Sequence, residues 1–170
     1  MTRADPQRSQ VYAAEGVVAS MIDRRADFPV VQLFGSQIIV PDDRKFGDVA
    51  SVQRYVEAVL GLDWVHRLAP ERAAVPLRVR PRAGATKAEY HANTHTIALP
   101  THRVGGRWAM RELVVLHEIA HHLSPGGEHG TLFVAMLVEL VDGLVGPEAG
   151  FLLRSQLSAG AAGAEPPGTR

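Results

Sequence analysis

The chain has 170 residues, enough for one domain with a sizeable core. Apolar residues make up 46%, an ordinary globular share that argues against wholesale disorder, and 18 Lys plus Arg balance 18 Asp plus Glu. That balance leaves no global basic field to hold nucleic acid or an anionic membrane. The absence of cysteine excludes disulfides, thiolate metal sites and cysteine nucleophiles.

The N-terminal segment MTRADPQRSQ lacks the apolar run of a signal peptide. The most apolar stretch, 132–145, carries Glu139 and Asp142 and is too short and too polar to span a bilayer. A cytoplasmic location is therefore the default expectation, with no membrane partner and no indicated nucleic acid.

In chain order, Val11, Ala14, Val18 and Ile22 recur at helical spacing and predict a helix over 9–24. Residues 30–40, with the run Ile38-Ile39-Val40, read as a strand or hairpin ending at Pro41. Asp48 is an N-cap for a helix through Leu60, with Gly61 just past its end. Residues 75–80 alternate apolar and basic side chains, as a half-exposed strand does. Its Arg78, Arg80 and Arg82 are either a solvated face or a local basic patch. Segments 86–91 and 94–99 around Ala92-Asn93 predict a second hairpin. Gly105-Gly106 opens a helix over 107–123, which Ser124-Pro125-Gly126-Gly127 stops. A further helix covers 131–145, and Pro147 begins a last one to about residue 157. The tail 158–170, rich in Ala, Gly and Pro, is expected to be disordered. The sum is an α+β domain over 1–157: a small mixed sheet first, then a helical C-terminal third.

The chemistry concentrates in His117-Glu118-Ile119-Ala120-His121. Residues four apart share a helix face, so His117 and His121 can converge on one cation, and imidazoles suit zinc. Glu118 lies about 100° further round, where it can serve a water rather than the metal, as a general base does. Met110 and Val114 continue the histidine face, and Leu113, Leu116, Ala120 and Leu123 form an adjacent apolar stripe, which predicts a largely buried helix. The alternative is two histidines that merely pack or hydrogen-bond. After the Ser124–Gly127 reversal, Glu128 and His129 are both placed to supply a further ligand.

HEIAHHLSPGGEHGTLF resembles the active-site region of SprT-like and related minimal zincin metallopeptidases. The chain also resembles small zincin-like metallohydrolases of actinobacteria, over about residues 107–145. In that pattern an H-E-x-x-H helix is followed by an H-G-x-x-F segment, here His129-Gly130-Thr131-Leu132-Phe133. The metzincin pattern does not fit, because Gly127 stands where its third histidine would be. The resemblance implies a zincin fold, one zinc per chain on His117, His121 and His129, Glu118 as base, and a peptide or protein substrate. His129 is further favoured over Glu128 because Gly130 would let the backbone pass close to the site. The resemblance also makes 96–99 the edge strand that pairs with an extended substrate, against an ordinary core strand.

Other residues carry weaker signals. His122 points away from the ligand pair, toward the surface or an outer position around the metal. His91, His95, His102 and Tyr90 are loop residues, or one of them stabilises an oxyanion. Trp108 and Phe133 are expected in the core beside the site. Two alternatives remain open: a structural zinc closed by four protein ligands, Glu128 among them, and a regulatory protease that cleaves a transcriptional repressor.

Overall fold

The computed structural model describes residues 5, 7–84, 86–101, 107–126 and 128–162. His102, Gly105-Gly106, Gly127 and the end of the expected tail, 163–170, lie outside the described residues. The described residues form an α+β structure of seven helices and two small sheets. The chain divides into two compact units. One comprises Met1–Asp42 with His129–Arg170, the other Asp43–Glu128.

In the first unit, α1 (Arg8–Asp23) buries Val11, Ala14, Val18 and Ile22, the stripe its spacing predicts, and packs against the last helix, α7 (Pro147–Ala162). Strands β1 (Val30–Leu33) and β2 (Ser36–Ile39) form an antiparallel hairpin. Its two-residue turn, Phe34-Gly35, has φ of 49° and 76°, the primed geometry that matches strand twist. Helix α6 (Thr131–Leu144) packs on α7 (Pro147–Ala162). Their crossing requires glycine at 150, where a Cβ would stand 2.9 Å from Asp142 Cα. Helix α7 runs to Ala162, so residues 158–162 are helical rather than part of a disordered tail.

In the second unit, α2 (Val49–Leu60) begins on Asp48, whose carboxylate accepts a 2.7 Å bond from Ser51 N. Val52, Val56, Val59 and Leu60 form its buried face. Two short helices follow that the sequence did not signal, α3 (Asp63–Leu68) and α4 (Pro70–Ala73). Strands β3 (Arg78–Arg82), β4 (Glu89–His91) and β5 (Thr96–Pro100) make a mixed sheet in the order β3-β5-β4. β3 runs parallel and β4 antiparallel to β5. β5 is thus the central strand, with all five residues buried, and 96–99 cannot be an edge that receives a substrate. An unbroken apolar run suits a strand covered on both sides better than an edge. The hairpin loop is 92–95 rather than the two residues first read, with His95 at a φ of 46°. On β3, Arg78 and Arg80 are exposed and Arg82 pairs with Glu89 at 3.0 Å.

The expected helix over 107–123 is a 3-10 turn (Arg107–Ala109), an extended link, and α5 (Glu112–Leu123). The link is extended because segment 44–46 pairs with it. Phe46 N donates to Met110 O at 2.8 Å, and Glu112 N donates to Arg44 O at 2.8 Å. Arg111 forms a two-pronged ion pair with buried Asp43, at 2.8 and 3.0 Å. Glu112 accepts from Arg44 N at 2.9 Å, from the Arg44 guanidinium, and from Tyr55 OH at 2.5 Å. These contacts set where α5 begins. Helix α5 packs against β4, α2 and α4, and every residue in it but Val114 and His121 is buried.

Candidate metal centre

His117 and His121 lie one turn apart on α5, with ring centroids 5.0 Å apart and planes at 70°. Ser124 closes the helix, its Oγ donating to Ala120 O at 2.6 Å. Gly126 then turns the chain at a φ of 127°, a conformation that needs glycine. His129 follows. In this short stretch, 117–129, ligand atoms of His117, His121 and His129 all lie within 4.8 Å of one another. Two of the three residues are buried and His121 is half-buried. The group could hold a metal ion.

The donor set fits zinc. Three imidazole nitrogens on a tetrahedral zinc stand roughly 3.3–3.4 Å apart, so ring movements of about 1 Å would close the group on an ion. Glu128, which the four-ligand alternative requires, is half-buried and is not one of this group. Glu118, on the same turn of α5 as His117, is 4% exposed. Gly130 does not act as the sequence suggested. Its φ is ordinary, −72°, and a Cβ there would meet nothing within 4 Å.

His129 is 5% exposed and held from three sides. Its Nδ1 is 2.6 Å from Asp5 Oδ2, and its backbone N–H donates to the same oxygen at 3.2 Å. The Phe133 ring lies edge-on at 4.8 Å and Tyr12 lies tilted at 5.4 Å. Burial raises the Asp5 pKa, but the hydrogen bonds and charge of His129 outweigh it and leave the carboxyl below its ordinary value. Sequence reasoning missed Asp5, because no local pattern links positions so far apart.

His122 is not a surface residue; it is fully buried. Its Nε2 faces the carbonyls of Arg72 at 3.0 Å and Val75 at 3.1 Å, and its Nδ1 faces Tyr90 OH at 3.1 Å. Burial, with the Arg72 charge, pushes its pKa down to about 4 against the opposing pull of the two carbonyls. The imidazole is therefore neutral at pH 7, with Nε2–H donating to carbonyl oxygen and Nδ1 accepting from Tyr90. Tyr90 OH also accepts from Arg72 at 2.9 Å and meets His95 Nδ1 at 3.1 Å. Tyr90 and His95 thus belong to this network rather than to an exposed loop, and His91 lies 3.5 Å from Arg80. Phe133 is in the core as expected, but Trp108 is 41% exposed and is not.

No helix of the described residues is long and apolar enough to cross a membrane. No family model, no curated protein and no solved structure matches this chain.

Proposed function

We propose that the chain is a zinc-dependent hydrolase of the zincin kind, cutting peptide bonds in a peptide or protein substrate in the cytoplasm. The observation that carries this reading is the convergence of His117, His121 and His129. Three neutral imidazoles leave a zinc site its charge and one coordination position for chemistry, whereas structural sites are closed by four protein ligands.

When bound, zinc supplies Lewis acidity, which acidifies water and polarises a carbonyl oxygen. The protein's part is done by Glu118. Its place on the helix between the two histidines suits a base that takes a proton from the attacking water and returns it to the leaving amine. Glu118 and His117 are both buried on α5, which limits their rotamers and supports a base of fixed position.

The test is elemental analysis of protein purified without added metal, followed by zinc titration. About one zinc per chain is expected, and its loss in His117→Ala, His121→Ala and His129→Ala. Parent protein that neither carries nor takes up zinc would overturn the reading.

A further inference from the structure

We propose that Asp5 is a positioning residue of the metal centre: it fixes His129 as an Nε2 ligand. This rests on the proposed metal reading. The Asp5 carboxylate has a separate task for each oxygen. Oδ1 accepts from Arg8 N at 3.1 Å, the first backbone N–H of α1. Oδ2 accepts from both the backbone N–H and Nδ1 of His129, at 3.2 and 2.6 Å. The first contact anchors the carboxylate to a helix whose N-terminal dipole favours negative charge. The second determines the imidazole. A neutral ring that donates Nδ1–H to a carboxylate carries its lone pair on Nε2, the atom then suited to a cation. Phe133 and Tyr12 restrict rotation of the ring about that bond. The carboxylate also raises the ligand's basicity, which strengthens its bond to a metal.

Position 129 therefore depends on a residue 124 positions away. The experiment compares parent, Asp5→Asn and Asp5→Ala by zinc titration against a chelating dye, with circular dichroism as a check on folding. The amide oxygen of asparagine can still accept from Arg8 N, so Asp5→Asn keeps that contact and puts an uncharged N–H donor in place of the charged acceptor facing His129. Zinc affinity is expected to fall roughly 10–100-fold in Asp5→Asn, with helicity unchanged. Parent-like affinity in Asp5→Asn would overturn the proposal, including the case in which Asp5→Ala alone loses zinc, which would make Asp5 only an anchor for Arg8 N.

Long-range proton–nitrogen NMR of the metal-free proteins at about pH 9, where imidazoles are neutral, separates this inference from the metal reading. Parent His129 is expected to be protonated on Nδ1, and Asp5→Asn to lose that preference. If the parent binds no zinc, the proposed function falls, and the tautomer still decides the pairing. The same tautomer populations in parent and variant would overturn it.

Discussion

The two ends of α5 are held by different chemistry, carboxylate ion pairs at one and a buried imidazole at the other. Its start is tied by formal charges: Arg111 to Asp43, and Glu112 to Arg44 with Tyr55 beside it. Its end is tied by neutral imidazole, with His122 bonded to a tyrosine hydroxyl and two carbonyls. A buried ion pair adds little net stability over an apolar pair, but it is costly to half-remove, so it locks the helix start in register. Arg72 brings a formal charge to that network as well, donating to His122 O at 2.7 Å and to Tyr90 OH at 2.9 Å.

That contrast can be broken at several points. The largest effect is expected from Glu118→Gln, which should lower cleavage of any peptide the parent cuts by roughly a hundred- to ten-thousand-fold. Zinc content and circular dichroism should stay unchanged, since glutamine keeps the shape and loses only the base. Parent-level turnover would remove Glu118 from that role.

At the charged end, Asp43→Ala leaves the nearly buried Arg111 guanidinium without its two-pronged partner. Urea unfolding should show a loss of about 3–5 kcal/mol. A loss within experimental error would mean that the pair does not set the start of α5.

The adjacent histidines sharpen the comparison further. His122→Ala should cost about 1–3 kcal/mol, because Tyr90 and two carbonyls lose their partner, yet it should keep one zinc per chain. His121→Ala should behave in the opposite way on zinc. Loss of zinc in both would place His122 in the metal centre after all.

The smallest effect is a pH dependence. Burial raises the Asp43 pKa, and the hydrogen bonds and charges of Arg111 and Lys45 more than reverse this, so it lies below the ordinary value. A depressed carboxyl contributes stability that is complete above its unfolded pKa, about 3.9, and is lost as pH falls through the folded value. The stability gap between parent and Asp43→Ala should therefore be flat near neutrality and shrink below about pH 4. A gap that widens in acid would contradict the ion pair.

Short-range physics made part of this protein legible from sequence alone. The i, i+4 spacing of His117 and His121 places both on one helix face wherever the helix lies. Asp48 and Gly61 bracket α2 through bonds a few residues long, and the stripe of α1 appears buried where its period puts it. The short turn after α5 keeps both Glu128 and His129 close in sequence to His121, and the structure brings His129 into the histidine group. Tertiary structure decided what had no local signature. β5 reads as an edge or a core strand with equal ease, and only its pairing to both β3 and β4 makes it central. The extended link before α5 overrides helical periodicity because segment 44–46 takes its backbone bonds. Asp5 meets His129, and His122 meets Arg72 and Val75, across separations at which chain order carries no information about distance. A hydrogen bond needs its partners within about 3 Å, and over such spans only the packing of whole elements can bring them that close.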